Sequence, residues 1–248
     1  HKELCGGCIH QGKSYEQQLE EKGNDVSMLI SKKEIKVGEY LGIQRSPAQY
    51  RYRNKMEYTF GDTVKDGPLC LGMHRKKHFM SIVTVDECQL VPEDFNRILS
   101  AVLEFCQEKG YSFYHKKSHE GLLRHLIIRY GVRTGELLVN IVTSSQGEFD
   151  DKGFTEMITA LELDNRVVGV LRTINDRLAD AVYCEELKVL WGRDYYMEKI
   201  MGLDFKVSAF SFFQTNVEAA ERLYTEAIDL IDDFEDKNVF DLYCGTGT

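Results

Sequence analysis

Three prolines and a single tryptophan occur in 248 residues, and no run of 18 consecutive apolar residues is present. The scarcity of proline excludes a collagen-like or proline-rich chain, and the missing run excludes a membrane-spanning helix. No basic stretch followed by an apolar one opens the chain, so no secretory leader is expected. Positive charge is in deficit: 31 Lys and Arg face 40 Asp and Glu, a net charge of −9. A generic polyanion-binding surface is therefore excluded, and any nucleic-acid contact must come from a local basic patch. What is present, 43% apolar and 29% charged residues, is enough to bury a core in one or two domains. Seven cysteines, an odd number, point to a reducing cytoplasm where thiols stay free or bind metal. The first residue is His1, and Thr248 falls inside a glycine-rich loop, so the expectation is an internal piece of a longer protein.

Ser14 followed by Gln17 is a capping-box pattern and predicts a helix over 15–32. Met56, Tyr58 and Phe60 alternate with polar residues, Asp66-Gly67-Pro68 marks a turn, and strands are expected at 69–73 and 81–85. Pro92 opens a helix whose apolar face is Phe95, Ile98, Leu99, Val102, Leu103 and Cys106, ended by Gly110. A hairpin is predicted from 122–130 and 136–143, a helix over 154–163, and strands at 167–174, 181–190 and 195–200. This middle region reads as mixed α+β with an antiparallel sheet. Near residue 205 the pattern changes. Asn216 caps a helix with a stripe of Val217, Ala220, Leu223, Tyr224, Ala227 and Ile231; after the acidic break at Asp232, Asp233, Glu235 and Asp236, a buried strand is expected over Asn238–Tyr243. Helix, apolar strand and glycine turn are the opening of a doubly wound nucleotide-binding domain.

Four stretches carry chemistry. Asp241-Leu242-Tyr243-Cys244-Gly245-Thr246-Gly247 brings backbone close to a ligand. The acid Asp241 and the missing third glycine favour S-adenosylmethionine over NAD; a plain tight turn is the alternative. Cys5 and Cys8 form a C-x-x-C around two glycines, and Cys88 follows 80 residues later. Such thiols suit zinc, with His10 as a fourth ligand, or an iron–sulfur cluster. Cys70, Cys106 and Cys184 lie in apolar or helical surroundings and read as core or inert thiols. Arg51-Tyr52-Arg53-Asn54-Lys55 interleaves cations with an aromatic, suited to phosphates and a stacked base or to a solvated strand edge. Arg75-Lys76-Lys77, Arg124 and Arg129 are weaker versions of the same signal. Phe210 to Asn216 packs aromatics and amides before a helix.

In this order, Cys5-Gly6-Gly7-Cys8 with Tyr15, Gln18, Leu19 and Lys22, then Tyr52-Arg53-Asn54-Lys55, Cys88, Asn175-Asp176, Phe212-Phe213-Gln214-Thr215-Asn216 and the loop from Asp241 to Gly247, the sequence resembles the RNA uracil-5-methyltransferase family. The closest likeness is to its iron–sulfur branch, which modifies large-subunit ribosomal RNA. The resemblance implies a fold of α/β plus α+β: a central mixed antiparallel β domain with an iron–sulfur motif, then the start of a Rossmann-like S-adenosylmethionine-dependent methyltransferase domain. It implies a central β-rich iron–sulfur and RNA-binding domain over 1–17 and 50–190, and the N-terminal part of a methyltransferase domain over 18–49 and 191–248. A four-iron, four-sulfur cluster is implied on Cys5, Cys8 and Cys88, with a fourth cysteine ahead of residue 1. Gln214, Tyr243 and Thr248 match contacts to S-adenosylmethionine, and Arg51, Arg53, Lys55 and Phe212 are the expected RNA contacts. The family's nucleophilic cysteine and general-base glutamate lie downstream of Thr248, so these residues alone are expected to be inactive.

The implied reaction is methylation of carbon 5 of a uridine, most naturally in ribosomal RNA, by a cytoplasmic and monomeric protein without membrane attachment. Thiolate addition at carbon 6 makes carbon 5 enolate-like, and a base then removes its proton. The rivals are a zinc-bearing, non-catalytic RNA-binding module, a transfer-RNA uracil-5-methyltransferase, and a methyltransferase for a small molecule.

Overall fold

The computed structural model describes residues 3–231 and 235–242. Its elements run α1 (Tyr15–Lys32), β1 (Lys55–Asp62), β2 (Leu69–Arg75), β3 (His78–Thr84), α2 (Glu93–Glu108), β4 (Leu123–Gly131), β5 (Glu136–Thr143), α3 (Asp151–Ala160), β6 (Arg166–Ile174), β7 (Glu186–Gly192), β8 (Tyr195–Ile200), β9 (Leu203–Ser208) and α4 (Val217–Asp229). Seven strands form one sheet in the order β3-β2-β1-β4-β5-β6-β7, and β8 pairs with β9 alone.

The capping box at α1 is formed in both directions: the Gln17 amide donates to Ser14 Oγ at 3.2 Å, and the Ser14 amide to Gln17 Oε1 at 3.0 Å. The two ends of the α1 reading hold, yet the helix buries none of its residues. β1 buries Met56, Tyr58 and Phe60 as the alternation requires. They meet the α2 stripe of Phe95, Ile98, Leu99, Val102 and Cys106, together with Phe154 and Ile158 of α3, in the larger core. Aromatic edges close this core where Phe149 and Phe154 meet at 5.4 Å between centroids.

The expectation of an antiparallel sheet fails at one pair. β5 and β6 run parallel, because α3 lies between them and returns the chain to the same end of the sheet. That helix starts three residues earlier than predicted, since Asp150 Oδ1 accepts from the Gly153 amide at 2.8 Å and caps it. The strand expected from residue 181 begins only at Glu186. Buried Arg124 is the cause: its guanidinium donates to the carbonyls of Asn175 (2.8 Å), Arg177 (2.7 Å) and Ala179 (2.8 Å), curling the segment away from the sheet. β9 was not anticipated. Met201 and Gly202, at φ 47° and 82°, form the two-residue turn that pairs Ile200 with Leu203.

The second core lies on β5 and β6, where Leu138, Val168 and Leu171 meet Tyr196, Val207, Phe213, Val217 and Ala220. Glu136 fastens β8 onto this sheet, accepting from the Met197 amide at 2.7 Å and from Arg193 and Arg166. Val217 and Ala220 of α4 are buried in this core and Tyr224 packs against it, but Leu223 of the predicted stripe is 61% exposed. The buried strand expected over Asn238–Tyr243 is not formed within the described part. Residues 238–242 are not in a strand, Val239 and Phe240 are exposed, and no ladder lies beside them among the described residues. Tyr243 to Thr248, with Asp232 and Asp233, lie outside the described residues. Among the described residues no helix is long and apolar enough to cross a membrane.

Candidate functional site

Three segments distant in sequence wall an open cleft of about 1680 Å³: the loop from Cys5 to Ser14, the stretch from Ser46 to Glu57, and the segment from Glu87 to Glu93 that enters α2. Cys5, Cys8 and Cys88 all line it, and so do Arg51, Tyr52, Arg53 and Lys55. The sulfur-bearing and the basic signals of the sequence are thus one place.

Each cysteine is held by its backbone. The loop of Cys5 and Cys8 is stitched to β2 by Gly6 N–H to the His74 carbonyl at 2.9 Å and Lys76 N–H to the Leu4 carbonyl at 2.8 Å. Glycine is required at position 6, since a Cβ there would lie 2.7 Å from the His74 oxygen. The Gly7 amide points at Cys5 Sγ from 3.4 Å. Cys88 is pinned by buried Asn96 of α2, whose Oδ1 accepts from the Cys88 amide at 3.1 Å and whose Nδ2 donates to the Cys88 carbonyl at 3.4 Å.

Burial pushes the Cys8 thiol up, with further upward pressure from the charges of Cys88 and Cys5. Burial likewise raises Cys88, against lowering by the amides of Leu90 and Val91, and Cys5 again adds to the rise. The three groups therefore feel one another across the cleft. They do not close into a ligating set: among the described residues no group of three or more His, Cys, Asp or Glu is arranged to hold a metal ion. Among the described residues, two buried polar atoms of the cleft lining have no hydrogen-bond partner, His10 Nδ1 and Gln11 Oε1, and the Tyr58 hydroxyl, outside the lining, has none either. Burial raises the Tyr58 hydroxyl strongly, and the charge of Cys88 adds to the rise.

The basic stretch has a built shape. Arg51 adopts φ 55°, its amide donating to the Gln89 carbonyl at 2.8 Å, while the Arg53 amide donates to Leu90 at 2.9 Å. Arg53 Nε folds back on the Lys55 carbonyl at 3.0 Å, and Lys55 pairs with Glu57. Between these cations Asn54 is buried and turns the other way. Its amide donates to the Thr215 carbonyl and its Nδ2 to the Gln214 carbonyl, both at 3.0 Å. Asn96 is the positioning residue that sequence reasoning passed over, and in the sequence Asn54 reads only as a member of the basic stretch, not as a positioning residue. Their signal was polarity at positions flanked by core residues, Asn96 beside Phe95 and Asn54 at the mouth of β1.

The remaining expectations divide. Thr215 and Asn216 reach the cleft, but Gln214 and Phe212 do not line it. Gln214 is half-buried and held through its carbonyl; Phe212 is 66% exposed, while Phe213 fills the second core. Tyr243 and Thr248 lie outside the described residues. Arg124 and Arg129 are corrected: both are buried, Arg124 serving the 175–179 turn and Arg129 beside Tyr196, so neither faces a phosphate. Cys70 and Cys106 are buried, and Cys184 is exposed.

No family model matches the chain. A protein of Caldanaerobacter subterraneus named as an uncharacterized RNA methyltransferase is 51% identical over 246 residues, 98% of this chain and 54% of its own length. An uncharacterized RNA methyltransferase of Clostridium tetani is 48% identical over 244 residues, again 98% of this chain and 54% of the relative. The chain thus spans about half the length of the curated relatives it matches. The crystal structure of Pyrococcus abyssi tRNA (uracil-54, C5)-methyltransferase with S-adenosyl-L-homocysteine matches with a TM-score of 0.73 and 26% identity, over 92% of this chain and 51% of that one. By sequence and by fold, this chain is similar to about half the length of proteins named RNA methyltransferases.

Proposed function

We propose that the chain is part of an S-adenosylmethionine-dependent RNA (uracil-5-)methyltransferase whose substrate is large-subunit ribosomal RNA. The observation that carries the reading is the single cleft shared by Cys5, Cys8 and Cys88 with Arg51, Arg53 and Lys55. Arg51 and Arg53 hold RNA phosphates along one wall. That grip offsets the cost of about a few kcal/mol for drawing the target base out of its stack. Phe212, exposed and three residues before the cleft-lining Thr215, offers a stacking face.

We place a four-iron, four-sulfur cluster on these thiols, although among the described residues they are not drawn together into a ligating set. Supporting it, they come from a glycine-bearing C-x-x-C and a third position on the same cleft, and a backbone amide points at one sulfur. Such a centre supplies charge that neutralises the mutual repulsion of the thiolates, and so fixes the RNA-facing loop. S-adenosylmethionine supplies the methyl group when bound, with Gln214, Tyr243 and Thr248 as its contacts. Asn54 positions the first of these by gripping the 214–215 backbone.

Residues 1–17 and 50–190 form the RNA-holding unit, and 18–49 with 191–248 go with the cofactor unit. Supporting this division, residues 44–46 bond to α4 and its cap: Gln44 to Glu226 at 3.0 Å, Arg222 to the Arg45 carbonyl at 3.0 Å and Asn216 to Ser46 at 3.1 Å. The protein works in the cytoplasm.

Mass mapping of 5-methyluridine in RNA from a deletion strain tests the proposal. Loss of one or more marks from large-subunit ribosomal RNA is expected. Loss from transfer RNA alone establishes the second reading, which the likeness to the Pyrococcus enzyme favours. Intact marks in both overturn the proposal.

A further inference from the structure

A second cationic feature lies outside the cleft wall of Arg51 to Lys55. The β2–β3 hairpin turns through Lys76 and Lys77 alone, since Arg75 pairs directly with His78. Lys77 sits at φ 64°, the second turn position where glycine or asparagine is the unstrained choice. A lysine held there at a conformational cost suggests that its charge is used. Among the described residues, none of Arg75, Lys76 and Lys77 has a carboxylate within ion-pair distance, although acidic groups outnumber basic ones in this chain. Phe79 follows at once, 75% exposed, with Met80 at 39%.

The hairpin is anchored rather than loose. The His74 ring on β2 is half-buried, and burial is the main cause of its lowered pKa. The backbone bonds of Gly6 and Lys76 join the turn to the Cys5–Cys8 loop, and Cys5 bridges Arg75. An aromatic face among unpaired cations, on a tip rigidly tied to the edge of the cleft, is what a single nucleic-acid strand requires: phosphates for the lysines and a base for the ring.

We infer that the Arg75–Phe79 tip is a second RNA contact, stacking one base of a single-stranded segment that continues out of the cleft. The inference rests on the RNA-binding reading above. It assigns Phe79 as the stacking platform and Lys76 and Lys77 as phosphate contacts.

Binding of a fluorescent single-stranded RNA to the purified protein, read by anisotropy across a salt series, tests it. Phe79→Ala is expected to weaken binding about fivefold or more with the salt slope unchanged, and Phe79→Tyr to restore it. Lys76→Ala with Lys77→Ala is expected to lower the slope of log K against log salt by about 0.7 per charge removed. A 5-bromouridine strand should photo-crosslink within residues 75–80. Wild-type binding that is weakened by Arg53→Ala but untouched by Phe79→Ala and by the double lysine variant overturns this inference alone. No binding by the wild type overturns it together with the reading beneath it. Full RNA binding by the Phe79→Ala variant with loss of a protein partner instead would make the tip a protein-docking site.

Discussion

At the scale of single residues, the molecule spends buried polarity on joining segments. Asn54 is the clearest case, since both of its donors cross to the 214–215 backbone from a position 1% exposed. Asn54→Ala keeps the main-chain bond but leaves the Gln214 carbonyl without its side-chain donor, at a cost of about 1–3 kcal/mol. A fall in Tm is expected, with weaker S-adenosylmethionine binding by calorimetry; unchanged affinity in a folded variant would remove Asn54 from the positioning role. Glu136 does the same work with a charge. Burial pushes its carboxyl up, but the Met197 amide and the guanidiniums of Arg193 and Arg166 outweigh that, and the net direction is downward. A lowered folded pKa stabilises above the unfolded value, near 4.5, and that stability is lost as pH falls through the folded value. Glu136→Gln is therefore expected to lower Tm at pH 7 by more than it does at pH 3. An equal loss at both pH values would show that shape, not charge, is what Glu136 contributes.

At the scale of elements, local signals were legible even where they were incomplete. The α1 capping box named its helix although that helix buries no residue, and the α2 apolar stripe named its helix although no side chain caps it. Leu99→Ala in that stripe should cost about 2–5 kcal/mol, and thermal melting of the variant checks it. What stayed hidden was decided across the chain. β7 starts late because Arg124, on β4, gathers carbonyls some fifty residues away. β9 is short and held by a Met-Gly turn whose left-handed geometry only one of its two residues advertises. In the candidate site, the C-x-x-C and the basic run were readable as motifs. Their meeting was not, because it depends on Asn96 and on backbone bonds to Gln89 and Leu90. The β2–β3 turn gives a test at this scale. Lys77→Gly removes a left-handed lysine, and after allowance for the freedom of glycine in the unfolded chain the gain is about 0.5–1 kcal/mol. Tm should rise slightly while RNA affinity falls. A lower Tm would mean that the lysine stabilises the turn and that its strain marks no function.

At the scale of the whole molecule, the two cores decide what a bound metal contributes. The larger core gathers more than twenty buried residues from the sheet, α2 and α3, and Cys5 and Cys88 touch only its margin. The second core involves none of the three thiols. The proposed cluster on Cys5, Cys8 and Cys88 would therefore fix one loop and not create the fold, unlike the metal of a small domain that lacks a core. Anaerobically purified protein is expected to carry iron and to absorb in the visible, and Cys8→Ser or Cys88→Ser should lose both. Zinc without colour would favour the non-catalytic alternative. With the metal removed, cooperative melting of the sheet should persist within a few degrees, whereas protease cutting in the Cys5–Ser14 loop should rise, because among the described residues its main-chain ties to the sheet are two bonds to the β2–β3 hairpin, and Lys13 anchors it to Glu21 and Gln18 of α1. Collapse of the melting transition on removal would show that the thiol loop supports the larger core, reversing the order of dependence that the packing implies.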